Sequence, residues 1–125
     1  MSRPRYDLED RLIDFAVQIC RLLEQFPSSP VSSHVAKQLL RCGTAPFANY
    51  GEAQAAESRG DFLHKLRICL KELRETQTWL KFIRRMNLSG GGGEEVEKEA
   101  AELVAIFTTS VETTRRKCKM SNVKG

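Results

Sequence analysis

Residues Arg41–Phe62, RCGTAPFANYGEAQAAESRGDF, place Gly43, Pro46 and Gly51 between two segments of strong helical pattern. A loop here would divide the chain and offer a place for chemistry. A helix here would instead continue a bundle. The spacing decides between them. Val31, Val35, Leu39, Cys42, Ala45, Asn49, Glu52 and Ala56 recur at steps of three and four, straight through Pro46 and Gly51. A loop has no reason to keep that period. The spacing predicts one long helix over 30–56, kinked where Pro46 removes a backbone donor and crowds the carbonyl of Cys42.

Outward from this stretch the same period recurs. Leu8, Leu12, Phe15, Ile19, Leu22 and Phe26 make the stripe of a helix over 7–26, stopped by Pro27. Ser29 before Pro30 is an N-cap followed by proline at the first helical position. Phe62, Leu66, Cys69, Leu73, Thr76, Leu80 and Ile83 mark a helix over 59–87, opened by Ser58 with Asp61 and closed by the Gly90–Gly93 turn. Val96, Ala100, Leu103, Phe107, Val111 (or Ser110), Thr114 and Cys118 mark a helix over 94–119. Glu94, Glu95, Glu97 and Glu99 stand at its positive end, and Arg115, Arg116 and Lys117 at its negative end. No β-alternation and no solenoid-length repeat occurs. The expected fold is all-α: one domain over 1–125, an antiparallel up-down-up-down four-helix bundle.

Composition narrows the function classes. No apolar run is long enough to span a membrane, and the charged start MSRPRYDLEDR lacks the apolar core of a secretory leader. Cys20, Cys42, Cys69 and Cys118 show no CxxC pair and read as small core residues of a protein in the reducing cytoplasm. Net charge is +4, unevenly spread: residues 61–85 carry seven bases and three acids, 86–110 one base and five acids, and 111–125 five bases and one acid.

Catalytic patterns are missing from the sequence. A bundle di-metal site draws on four helices for carboxylates and paired E-x-x-H motifs, whereas this chain has two histidines and one D-x-x-H, Asp61 to His64. Neither a nucleophile elbow nor a phosphate loop is present, and Gly90–Gly93 lacks the lysine and hydroxyl residue a phosphate cradle needs. No metal, no cofactor and no enzymatic activity are expected. Two constellations stand out. Asn49 and Glu52 on the small-residue stripe predict a buried polar network with Arg41, Glu72 and Glu75 that fixes helix register. Arg67, Lys71, Arg74, Lys81 and Arg85 form a basic stripe beside the apolar one, where like charges four apart repel. Such a row suits a phosphate backbone, with Arg115, Arg116 and Lys117 as further cations. Aromatic interleaving of the kind single-strand binders use is absent from the stripe, and Trp79 and Phe82 nearby read as packing residues.

The stretches HVAKQLLRCGTAPFANYGEAQAAESRGDFLHKLRICLKELRETQTWLKFI (34–83) and AAELVAIFTTSVETTRRK (100–117) resemble a known family. It comprises small bacterial four-helix-bundle proteins, first noticed as reading frames inside intervening sequences of large-subunit rRNA genes. The chain is also similar to the accessory protein of diversity-generating retroelements. Gln38-Leu39-x-Arg41, Asn49-x-x-Glu52-Ala53, Ser58-x-x-Asp61-Phe62 and Lys71-Glu72-Leu73-Arg74-Glu75 carry the resemblance, which covers about residues 6 to 118. It implies a ring-like homopentamer without enzymatic activity and, from the retroelement relatives, a basic surface that engages a reverse transcriptase and nucleic acid. The chain departs from the pattern at Ala45-Pro46-Phe47, where the family tends to serine, an aliphatic residue and glycine. The function expected is an oligomeric bundle that binds RNA or DNA, or a nucleoprotein partner, through basic faces. The alternative is a protein-binding scaffold subunit whose basic stripe serves subunit contacts.

Overall fold

The computed structural model describes residues 7–124, with side chains described over 7–120; the charged start, residues 1–6, lies outside them. Four helices follow in order: α1 (Leu8–Leu23), α2 (Pro30–Gln54), α3 (Arg59–Met86) and α4 (Glu94–Lys124). Helix α2 runs unbroken through Gly43, Pro46 and Gly51. Its start is capped as the sequence predicts: the Ser29 hydroxyl accepts from the Ser32 amide at 3.0 Å, with Pro30 at the first helical position. Ser58 does the same for α3, accepting from the Asp61 amide at 3.0 Å.

The boundaries differ from the predicted ones by two residues or more in three places. Helix α1 ends at Leu23, not at Phe26, because the residue before Pro27 is driven out of the helical region and the preceding residues close in short turns. Helix α2 ends at Gln54, two residues before Ala56. Helix α4 runs on to Lys124. The end of α3 is made by Asn87, not by the glycines. Its left-handed backbone (φ 56°) lets the Leu88 amide reach back to the Ile83 carbonyl at 3.1 Å, and Leu88 buries itself against the core. Gly90 and Gly91, both at positive φ, then complete the reversal into α4.

The helices are ordered cyclically: α1 meets α2 and α4, α3 meets α2 and α4, and α1 and α3 lie on the diagonal. Cross-helix partners run in opposite directions at each seam, as Glu52–Lys65 and Arg41–Glu72 show between α2 and α3, making the bundle antiparallel. One core joins Leu12, Phe15 and Ile19 to Val35 and Leu39, Leu66, Leu73 and Ile83, and Leu103 and Phe107. The seam between α2 and α3 is the most extensive and that between α1 and α4 the thinnest. There Arg11 makes two bonds to Glu99, at 2.7 and 2.8 Å, and one to Glu102 at 2.7 Å.

In α2 the facing differs from the expected stripe. Gly43, Pro46 and Ala53 are buried; Ala45 is half-buried, and Glu52 is exposed. Gly43 belongs inside because a Cβ there would stand 3.0 Å from both Cγ atoms of Ile19, so its absence lets α1 and α2 come close. Pro46 is tolerated because its ring packs fully buried in the core while its missing donor is one rung of a long helix.

Candidate functional site

Helix α3 carries the chain's longest row of like charge. With 3.6 residues per turn, the row of Arg67, Lys71, Arg74, Lys81 and Arg85 is centred about 140° around the helix from Leu66, Cys69, Leu73, Leu80 and Ile83. The row therefore lies beside the apolar stripe, turned away from the core towards solvent. All five side chains are exposed, and none makes an ion pair within the described chain. His64 and Thr78, both exposed, fill the same row, extending it to a span of ~32 Å at 1.5 Å per residue. Sequence reasoning missed these two because only charge was followed; the alternating steps of three and four through positions 64 and 78 would have found them.

Several other bases of the chain are paired. Arg84 pairs with Glu97 at 3.1 Å, Lys65 with Glu52 at 2.7 Å, and Arg41 with Glu72 at 3.2 Å and with Glu75. The hydrogen bond from Lys65 to Glu52 raises the ammonium pKa above its ordinary value. Arg115 and Arg116 share Glu112, at 2.6 and 3.6 Å, and the Arg115 bond holds that carboxyl below the ordinary range. Lys117 is exposed, and its backbone carbonyl accepts from the Arg59 guanidinium at 3.4 Å. Arg115, Arg116 and Lys117 thus lie at the end of the bundle where α3 begins, with two of the three partly neutralised.

The polar network predicted for the core is divided and moved outward. Glu52 points to solvent and pairs with Lys65, because α2 is rotated relative to the expected stripe. Asn49 is half-buried and donates to the Ala45 carbonyl of its own helix at 3.0 Å, needing no partner across the seam. Arg41, Glu72 and Glu75 do meet, but in the outer groove between α2 and α3, where Arg41 is exposed. Glu75 also accepts from the Trp79 indole nitrogen at 3.2 Å.

Of the four thiols, Cys42 and Cys69 are buried, Cys118 is half-buried, and Cys20 is exposed, contrary to its expected core role. Cys20 shares the groove between α1 and α2 with Ile13, Val17, Thr44 and Phe47. Between α1 and α4 an open groove of about 650 Å³ is lined by Asp14, Glu95, Glu99 and Glu102 with Lys98. Among the described residues no group of three or more His, Cys, Asp or Glu side chains gathers in a way that could hold a metal ion. No described helix is long and apolar enough to cross a membrane.

Against known proteins, the family described as 23S rRNA-intervening sequence protein matches residues 6–109. Among solved structures, the chain is similar to a protein of unknown function from the S23 ribosomal protein family of Bacteroides thetaiotaomicron VPI-5482. The two share 33% identity over 84% of this chain and 98% of that one, with a TM-score of 0.71. No curated protein matches.

Proposed function

This chain belongs to the 23S rRNA-intervening sequence protein family, and from that premise we propose that it is a non-catalytic, oligomeric nucleic-acid-binding bundle of the bacterial cytoplasm. The observation that carries the reading is the row on α3. Five exposed cations, with no ion-pair partner among the described residues, repel one another along a single helix face, a cost that a solvated surface does not offset and a bound phosphate backbone does. Arg115, Arg116 and Lys117 extend the basic surface at one end. Contacts of this kind track phosphates without reading bases, so binding tolerates any sequence and weakens steeply with salt. Association into a ring, five-fold by the family resemblance, multiplies weak patches through avidity. A reverse transcriptase or another nucleoprotein is the partner that the retroelement resemblance suggests.

Titration against RNA at about 50 and about 200 mM salt tests the reading. The wild type should lose affinity by orders of magnitude across that range. Replacing Arg67, Lys71 and Arg74 together by glutamine should flatten the slope of log affinity against log salt by about 2 to 3, with the fold intact because all three lie off the core. Absence of binding at the lower salt sinks the proposal.

One observation favours the second reading, a scaffold subunit without nucleic-acid binding. The groove between α4 and α1, the helix diagonal to α3, keeps an acidic lining even with Glu99 and Glu102 paired to Arg11 and so complements the row in charge, a geometry suited to head-to-tail contact between copies. On that reading the triple glutamine variant changes the oligomer rather than the salt slope, and sizing the variant separates the two.

A further inference from the structure

The sequence assigns Trp79 and Phe82 to packing, but the structure treats them differently. Trp79 is half-buried and packs against the core, whereas Phe82 lies outside the core cluster and is 40% exposed. Phe82 sits on α3 four residues after Thr78 and three before Arg85, so both members of the cationic row are its neighbours on the helix surface. On its other side it meets Trp79 edge to face, with ring centroids 6.0 Å apart. Trp79 in turn meets exposed His34 of α2 at 6.0 Å, again edge to face. Three rings therefore run from the basic row towards α2. Their middle member is held in place, because its indole nitrogen donates to Glu75, which also binds Arg41. Val31, three residues before His34, and Met86, four after Phe82, are exposed as well.

We propose that Phe82, backed by Trp79 and His34, is a stacking platform for the bases of a single-stranded nucleic acid whose phosphates follow the row from Arg67 to Arg85. The inference rests on the nucleic-acid reading above and narrows it from polyanions in general to single strands. Charge complementarity selects the occupant: an aromatic ring one helical turn from Arg85 places a flat apolar surface beside a phosphate-binding cation, the pairing that single-strand binders use. A duplex keeps its bases stacked inside and presents no base to the ring.

Trp79 is the only tryptophan, which makes its fluorescence a direct reporter. The test compares three probes at one low salt concentration: an oligouridylate long enough to span the row, an abasic strand with the same number of phosphates, and an RNA duplex. The oligouridylate should bind at least about fivefold more tightly than the abasic strand, the low end for one stacked base, with similar salt slopes. It should change Trp79 emission, and the abasic strand should not. Phe82→Ser should bring the oligouridylate down to the abasic level, and Phe82→Tyr should restore the difference. Equal affinity for oligouridylate and abasic strand, or preference for the duplex, overturns the platform while leaving the basic-row reading standing. Failure of all three probes to bind overturns both. A change of oligomer size in Phe82→Ser, with the oligouridylate preference retained, assigns the patch to a second copy and overturns the platform.

Discussion

Cys69 is fully buried on α3 and donates its thiol to the Pro46 carbonyl of α2 at 3.5 Å. Burial pushes its pKa from 9.0 up to about 12, and Cys42 is shifted upward for the same reason. The native state therefore keeps these thiols protonated while the unfolded chain releases the protons. Stability should be undiminished below about pH 9 and should fall as pH rises from there towards 12. Urea midpoints of wild type and Cys69→Ala, measured across that window, should converge as pH rises, since the variant lacks part of the loss. A thiol reagent at neutral pH should modify Cys20 quickly and reach Cys42 and Cys69 only after unfolding. The glycines of α2 offer a second contrast. At Gly51 an added Cβ meets nothing within 4 Å, so Gly51→Ala should gain roughly 0.5–1 kcal/mol from helix propensity alone. At Gly43 the same gain is opposed by contact with Ile19 at 3.0 Å; overpacking costs about 1–3 kcal/mol, so Gly43→Ala should destabilise by about 1 kcal/mol. Thermal or urea unfolding reads both signs.

At the scale of elements, the sequence and the structure agree wherever steps of three and four alternate strictly. Helices α1 and α3 do so, and Leu12, Phe15, Ile19 and Leu22, like Leu66, Cys69, Leu73 and Ile83, are buried as predicted. In α2 the reading took two steps of three in succession, Leu39 to Cys42 to Ala45, which slips the face by a fraction of a turn. Alternation would have gone from Cys42 to Pro46 and on to Ala53, the residues that are buried, but a proline without a donor was not counted as core. The candidate site was half legible for a related reason. Charge marks the α3 row in one dimension, while the exposure of Phe82 depends on how α2 leaves the flank of α3 uncovered, and no local pattern encodes that. One consequence is testable on Glu52. Being exposed and paired only with Lys65, its replacement by alanine should leave the urea midpoint within error, not shift it as a buried network would. Arg11 is the opposite case. Its three bonds to Glu99 and Glu102 clamp the thinnest seam of the bundle, so Arg11→Met should cost roughly 1–2 kcal/mol.

For the molecule as a whole, the exposed apolar residues are not scattered evenly. Ile13 and Val17 of α1, each at least 40% exposed, line one groove with half-buried Phe47 of α2, and exposed Leu40 precedes Phe47 on the same helix. A patch of that kind is where a second copy would dock. Light scattering on the wild type should give a mass several times the 14.2 kDa of the chain, and Val17→Glu should bring it back towards the monomer. A wild type that stays monomeric at micromolar concentration ends the ring proposal. The same helix has a further consequence within one chain. Helix α1 is 16 residues long against 31 for α4, meets α2 and α4 only, and shares with α4 the thinnest seam, where Arg11 binds Glu99 and Glu102. Opening it leaves the most extensive seam, between α2 and α3, closed, so the native state should loosen in stages rather than all at once. Amide hydrogen exchange would read this as a hierarchy: deuterium enters α1 first, through an opening of low free energy, while the α2–α3 amides wait for global unfolding.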